Sequence, residues 1–258
     1  MVQRTLPFDQ LVSLLAQLTP TRLLAIALTF TLLSCTSADE ATVSETPAIA
    51  EQPTAEQLTD EEAKELAEWK AQQEKTRAVL SSLDRETLIA ESSTKGPKDA
   101  DVVMLKFSDF ECPFCAQAAV SMKDFTETHD DVLYVYKQLP LESIHPEAMP
   151  AAKASWAAGQ QGEFWLYHDG LFAGQNELGE DYYISLAEQI GLDVEQFNRD
   201  RNSTEAAAAI EKDIQLAREL DLRGTPTLIL NGLTVPGNAP PEFLDEAVAR
   251  AKAGTLFE

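Results

Sequence analysis

The stretch VVMLKFSDFECPFC occupies residues 102–115 and joins a short apolar run to two cysteines three positions apart. The apolar run predicts a buried strand, and the next segment, AQAAVSMKDF at residues 116–125, predicts a helix. Pro113 would hold the first helical position, where its missing N–H breaks no hydrogen bond. Cys112 would take the N-cap, where free amides and the helix dipole stabilise a thiolate. This layout of Cys112 and Cys115 is typical of a redox site.

The cysteine pattern favours one redox-active pair over a disulfide framework or a metal centre. At i, i+3 spacing on a helix, two α-carbons lie within roughly the 4.4–6.8 Å that a disulfide needs. The chain has only three cysteines, Cys35, Cys112 and Cys115. No second cysteine or histidine pair stands at zinc-ligand spacing, so no metal site is predicted. The three histidines stand alone in the sequence and are interpreted as structural or surface residues: His129, His145 and His168.

The charge balance excludes one class of partner. Acidic residues outnumber basic ones 43 to 20 among 258 residues, which gives a formal net charge of −23. Such a surface repels the phosphates of nucleic acids. We therefore expect no nucleic-acid partner.

The N-terminal segment predicts export. An apolar run of about eleven residues follows Arg22, which suits the core of a signal peptide but is short for a membrane span. Its end, Leu32-Leu33-Ser34-Cys35, resembles a bacterial lipobox. That resemblance implies a lipid on Cys35 and a protein anchored in the cell envelope, facing the periplasm or the outside. An uncleaved anchor or an ordinary secretory signal is the alternative.

Composition divides the chain into four predicted parts. Residues 1–34 form the lipoprotein signal peptide, and residues 35–57, rich in Thr, Ser, Ala, Glu and Pro, form a flexible acidic tether. Residues 58–91 form a charged helical spacer. Residues 92–258 form the folded domain.

The order of predicted elements within the domain is β-α-β, a helical block, then β-β-α. Strands are expected at 101–108, 132–139, 227–230 and 233–235, with Asn231-Gly232 as a hairpin turn. The helical block, about residues 143–222, is expected to hold four or five helices. This is the order of an α/β thioredoxin-like fold with an all-helical insertion between its two halves.

Several motifs resemble the DsbA-like thiol–disulfide oxidoreductases of bacterial envelopes. Residues 107–115 look like the active-site segment of that family, and Gly224-Thr225-Pro226-Thr227 looks like its cis-proline loop. Parts of the insertion, including Ile144-His145-Pro146 and Gly162-Glu163-Phe164-Trp165, are also similar. The likeness covers about residues 92–253.

The resemblance implies a role for each site residue. Cys112 would be the exposed sulfur that forms the mixed disulfide, and Cys115 the buried resolving thiol. Pro113 and Phe114 would support the pair. Pro226 would be cis and leave the Thr225 backbone free to pair with a substrate peptide.

Two departures from the family leave the redox potential open. Phe114 stands where strongly oxidising members carry His, and it cannot donate a charged hydrogen bond to the thiolate. Lys106 stands six positions before Cys112, where some members have a buried acid. Lys106 either approaches the sulfurs or points to solvent.

We therefore predict an envelope protein disulfide oxidoreductase that uses no cofactor beyond the Cys112–Cys115 disulfide. Its expected partners are exported cysteine-containing polypeptides and a membrane redox protein that recycles the pair. One alternative is a reductase or isomerase of the same fold. The other is a non-enzymatic envelope chaperone or binding lipoprotein, which would not need the thiols.

Overall fold

A computed structural model describes residues 60–257. The chain divides into two compact units, Met1–Ala71 and Gln72–Glu258. Of the first unit, only residues 60–71 are described, and they are helical. The predicted signal peptide, the tether and Cys35 lie outside the described residues.

A five-stranded mixed sheet forms the centre of the second unit. The strands are β1 (Thr94–Lys95), β2 (Val103–Ser108), β3 (Leu133–Gln138), β4 (Thr227–Leu230) and β5 (Leu233–Pro236). Their order across the sheet is β1-β3-β2-β4-β5. β2 and β3 are parallel, and the remaining neighbours are antiparallel. All six residues of β3 and five of the six in β2 are buried, as expected for central strands of a sheet that is covered on both faces.

Helices cover both faces of the sheet. The helices among the described residues are α1 (Asp60–Ser81), α2 (Arg85–Ile89), α3 (Pro113–Thr128), α4 (Ala148–Gln160), α5 (Phe164–Ala173), α6 (Glu180–Gln189), α7 (Val194–Arg201), α8 (Thr204–Glu219) and α9 (Pro241–Ala253). A short 3₁₀ turn lies at Gln175–Glu177. Helices α4 to α8 all fall between β3 and β4, which confirms the predicted thioredoxin-like fold with a helical insertion.

Local sequence explains where the last insertion helices begin and end. The region predicted as one or two helices after residue 194 is two, α7 and α8. Asp193 accepts a hydrogen bond from the Gln196 amide at 2.9 Å, and Ser203 accepts one from the Ala206 amide at 3.1 Å. Each is an N-cap that satisfies an otherwise unpaired amide.

The two faces of the sheet bury different sets of side chains. Leu105 and Phe107 pack on one side, against a cluster that includes Ile210 and Ile214 of α8. Side chains alternate along a strand, so Lys106 points to the opposite face. That face carries Tyr136 and meets the aromatic residues of α5. Lys106 is 0% exposed, so the interpretation that it points to solvent was wrong.

The aromatic residues of the insertion form its core. Phe164 and Tyr167 are buried, and Trp165 and Phe172 are partly buried against the same cluster. The sequence did not reveal β1 or α2. The first has two residues and no alternating pattern, and the second is a single helical turn capped by Asp84.

Residues of α1 from Gln72 onward contact the sheet, earlier in the chain than the predicted start of the domain near residue 92. Gln73 is buried, and its side-chain amide makes two hydrogen bonds with the Thr234 backbone of β5. Gln73 Nε2 donates to the carbonyl at 3.2 Å, and the Thr234 amide donates to Gln73 Oε1 at 2.7 Å. The hydroxyls of Thr76 and Thr234 also form a hydrogen bond with each other, at 2.9 Å. Because β5 is an edge strand, these side chains satisfy backbone groups that would otherwise be unpaired.

We expect Gln73→Ala to lower the free energy of unfolding by about 1–3 kcal/mol, since it leaves an amide and a carbonyl of β5 without partners. Denaturant unfolding measures the change. Glu74→Ala is the matched control, because Glu74 is the exposed neighbour on the same helix. Equal effects from the two substitutions would show that the Gln73 hydrogen bonds do not stabilise the domain.

Candidate functional site

The two cysteines lie where β2 gives way to α3. Cys112 is the N-cap of α3 and Pro113 is at the first helical position, which confirms the predicted layout. The Cys112 carbonyl accepts hydrogen bonds from the Cys115 amide at 3.0 Å and the Ala116 amide at 3.2 Å. The Cys112 side chain makes no capping hydrogen bond of its own. The sulfur sits at the first turn of the helix, at the positive end of the helix dipole.

Both thiols are free and buried. Cys115 is 0% exposed and Cys112 only 4%, so Cys112 is more covered than the sequence suggested. The Asp109 amide donates a hydrogen bond to the Cys115 sulfur at 3.5 Å. Because both sulfurs are buried and lie one helical turn apart, the ionisation of each depends strongly on the other.

The two thiols have opposite pKa shifts. A hydrogen bond from the Cys115 thiol, helped by Thr225 and by the Cys115 and Phe114 amides, outweighs burial and lowers the pKa of Cys112 to about 5. Burial first, and then the same hydrogen bond to Cys112, raises the pKa of Cys115 far above its ordinary value. At neutral pH the pair therefore holds one thiolate, on Cys112, and one thiol, on Cys115. This is the division of labour that thiol–disulfide exchange needs.

The loop that enters β4 faces Cys112. The peptide bond between Thr225 and Pro226 is cis. The Cys112 sulfur lies 3.4 Å from the Thr225 carbonyl oxygen, to which it donates a hydrogen bond in its protonated form. Thr225 and Pro226, singled out from the sequence, are thus brought to the cysteine pair. Phe114 lies on the outer side of the pair and is 63% exposed.

Comparisons with known proteins agree with this geometry. Residues 89–250 match the model of a family described as thioredoxin. A thioredoxin-like oxidoreductase from Silicibacter pomeroyi is 28% identical, with a TM-score of 0.59 over 66% of this chain and 99% of that one. The DsbA2 of Pseudomonas aeruginosa is 26% identical, with a TM-score of 0.54 over 64% of this chain and 96% of that one.

The chain belongs to the thioredoxin family. Its fold is that of the DsbA-like thiol–disulfide oxidoreductases.

The curated relatives are larger proteins. The Na⁺/H⁺ antiporter NhaA 1 of Salinispora arenicola is 38% identical over 161 residues, which are 62% of this chain but 25% of the antiporter. The chain thus spans about a quarter of the length of these relatives, and the transport in their name belongs to those whole proteins. Among residues 60–257, no helix has both the length and the apolar character to cross a membrane.

Asp109 joins the active-site segment to the loop after β3. Its buried carboxylate accepts hydrogen bonds from the Leu141 amide at 2.9 Å, His145 Nδ1 at 2.8 Å and the Glu111 amide at 2.8 Å. This contact gives His145 the structural role expected from the sequence. Because the Asp109 amide also contacts Cys115, the same residue fixes the position of the buried sulfur.

Gln175 is a site residue that the sequence did not reveal. From the 3₁₀ turn after α5, its side-chain amide donates to the Phe110 carbonyl at 2.7 Å and the Cys112 carbonyl at 3.0 Å. It ties the insertion to the start of the cysteine segment. A lone glutamine in a short turn carries no pattern, so no sequence signal marks this contact.

In the reduced protein, we expect the ultraviolet absorbance of the thiolate to rise in one step centred near pH 5. Cys112 ionises there, whereas Cys115 stays protonated. Since the folded-state pKa of Cys112 is below that of an unfolded thiol, its ionisation stabilises the reduced fold. That stabilisation is complete above the unfolded pKa and is lost as the pH falls through about 5.

Two variants test this assignment. Cys112→Ser should remove the step, and Cys115→Ala should move it to higher pH because the strongest hydrogen-bond donor to the thiolate is gone. An absorbance step near pH 5 that persists in Cys112→Ser would show that the low pKa does not belong to Cys112.

Proposed function

We propose that this protein is a thiol–disulfide oxidoreductase that exchanges disulfides with exported, cysteine-containing polypeptides. The observation that carries the proposal is the asymmetry of the pair, a low-pKa sulfur at Cys112 and a protonated, fully buried sulfur at Cys115. An asymmetric pair sets the order of events. Cys112 forms the mixed disulfide with the substrate, and Cys115 resolves it.

The surroundings of Cys112 support a peptide substrate. The Thr225 backbone lies beside the sulfur, which suits an extended chain that adds to the loop by main-chain hydrogen bonds. Phe114 offers an exposed apolar contact next to the sulfur. Unfolded polypeptides present both an extended backbone and apolar side chains, so they match this surface.

The direction of exchange that fits the site best is oxidation of the substrate. The hydrogen bond from Cys115 and the helix amides stabilise the Cys112 thiolate, and that thiolate exists only in the reduced protein. Stabilising the reduced form makes the disulfide a stronger oxidant. A membrane redox partner would then return the pair to the disulfide.

The proposed location is the bacterial cell envelope, with a lipid on Cys35. Support comes from the lipobox-like segment that ends at Cys35 and from the redox chemistry itself, since protein disulfides persist outside the cytosol.

We expect the purified protein in its disulfide form to oxidise a dithiol peptide faster than the reduced protein reduces insulin. Cys112→Ser should bring both rates to background. Cys115→Ser, mixed with the disulfide form of the peptide, should instead accumulate a covalent mixed disulfide, visible by non-reducing electrophoresis, because the Cys112 thiolate opens the peptide disulfide and no second thiol resolves the product. Insulin reduction as the faster reaction would favour the reductase alternative. A double variant, Cys112→Ser with Cys115→Ser, that replaces the wild-type protein in cells without loss of its activity would favour the binding-protein alternative over an enzyme.

For the location, we expect cells fed labelled palmitate to incorporate the label into this protein. Cys35→Ser should abolish labelling, and Cys112→Ser should not, since only the first removes the proposed lipidation site. Labelling that persists in Cys35→Ser would contradict the lipid anchor.

A further inference from the structure

A cavity lies beside β3, where the edge of the sheet loses its β1 partner. β3 has six residues, and the two-residue β1 pairs with only part of it. The Tyr136 amide donates to the Ser93 carbonyl at 3.0 Å, but the Gln138 amide donates instead to Asp213 Oδ2 of α8, at 2.9 Å. The end of β3 thus faces helices of the insertion, and the cavity beside it has a volume of about 200 Å³.

The cavity is separate from the cysteine pair. Its lining residues come from β3, from the segment before β1 and from helices α4, α5 and α8, whereas the cysteines lie at the junction of β2 and α3. Aromatic and aliphatic side chains form part of the wall: Tyr136, Trp156, Phe164 and Ile210. A cavity of about 150 Å³ with apolar walls binds benzene. This one is therefore large enough for a ring with one small substituent.

Gln138 brings a hydrogen-bond acceptor to the cavity wall. The residue is 7% exposed, and its Nε2 donates to the Ser155 hydroxyl at 2.8 Å. That hydroxyl donates its only hydrogen to the Ala152 carbonyl, also at 2.8 Å, so it can only accept from Gln138. The orientation of the amide is thereby fixed, and its other atom is Oε1. Gln138 Oε1 is buried and has no hydrogen-bond partner among the residues that the structure describes.

Trp156 brings the complementary donor. Its indole Nε1 is buried and likewise has no partner within residues 60–257, and an indole N–H can only donate. Buried polar groups are normally paired, because leaving one unpaired costs free energy. A bound molecule that satisfies both residues has to donate to Gln138 and accept from Trp156.

The charged groups at the cavity disfavour an anion. Asp213 lines it, and Lys137 Nζ donates to Asp213 Oδ1 at 2.9 Å, so these two charges neutralise each other. Glu91, an exposed lining residue, adds a negative charge. A cationic ammonium has no lone pair with which to accept from Trp156. A neutral group that carries a donor and an acceptor on neighbouring atoms fits best, and a primary amide is such a group.

We propose that this cavity is a second binding site of the protein, for a small aromatic amide. The ring of the ligand contacts the aromatic wall, its N–H donates to Gln138 Oε1, and its carbonyl oxygen accepts from Trp156 Nε1. Binding at this site does not require the cysteines, so it is a property beyond disulfide exchange.

Three probes of similar size test the chemistry of the site: benzamide, acetophenone and benzoate. Acetophenone keeps the ring and the carbonyl of benzamide but has a methyl group in place of the N–H donors. It should bind about tenfold more weakly, since a buried acceptor is left unpaired. Benzoate, which is an anion without a donor, should not bind.

NMR of the indole N–H groups locates the binding. The chain has three tryptophans, and the Trp156 signal is assigned from its loss in Trp156→Phe. Benzamide should shift the Trp156 signal in a saturable way and leave the signals of Trp69 and Trp165 in place. The double variant Cys112→Ser with Cys115→Ser should bind benzamide with the wild-type affinity.

Two substitutions test the assigned contacts. Gln138→Met removes the acceptor, so benzamide should lose its tenfold preference and bind no better than acetophenone. Ala209→Leu places a larger side chain on the cavity wall and should abolish binding of both probes. Ala208→Leu is the matched control, because Ala208 is the exposed neighbour on α8, and it should bind both probes as the wild type does. Thermal unfolding reports whether each variant is folded, and Gln138→Met decides if Ala209→Leu is not.

The proposal is overturned if benzamide gives no saturable shift of the Trp156 signal up to its solubility limit, because water alone would then satisfy the two polar atoms. It is also overturned if benzoate binds as tightly as benzamide, or if the preference for benzamide over acetophenone persists in Gln138→Met.

Discussion

The hydrogen bond between the two thiols is the interaction on which the rest of the site depends. It lowers the pKa of Cys112 and adds to the effect of burial, which is the larger cause, in raising the pKa of Cys115. Two equivalent sulfurs would compete for one proton, and neither would be a committed nucleophile at neutral pH. Because the hydrogen bond is reinforced by helix amides on one side and by full burial on the other, one sulfur carries the charge and its partner keeps the proton.

The fold maintains this asymmetry by holding the cysteine segment at several points. Asp109 fixes its start to the loop after β3 through three hydrogen bonds. Gln175 holds the Phe110 and Cys112 carbonyls from the insertion. The Thr225 carbonyl faces the Cys112 sulfur from the start of β4. The helical insertion therefore does more than cover one face of the sheet, since it supplies a direct contact to the segment that carries the chemistry.

The fold and the position of the cysteine pair could be predicted because the sequence signals for them are local. The run from Val102 to Cys115 contains a strand, a turn and a helix start in one stretch, and each has its own residue preferences. The contacts that the sequence did not reveal join residues far apart in the chain. Gln175 is 63 positions from Cys112, and Gln73 is 161 positions from Thr234. A glutamine that bonds to backbone atoms of a distant segment leaves no periodic pattern, and only the folded arrangement shows it.

The sequence predicted the environment of Lys106 only in part. A strand buried on both faces has a continuous apolar sequence, so a single lysine within such a run stands out, yet the sequence alone allowed two orientations. The register of β2 against β3 decides between them, because it pairs Lys106 with the inward-facing Tyr136.

Phe114 and Lys106, the two departures from the DsbA-like pattern, lie in opposite environments. An exposed apolar residue between the cysteines cannot stabilise a thiolate by charge, and at 63% exposure Phe114 is placed to contact a substrate. Lys106 lies in the interior instead, with its ammonium near the rings of Tyr136 and Phe172. One departure therefore changes the surface of the site, and the other changes the interior of the sheet.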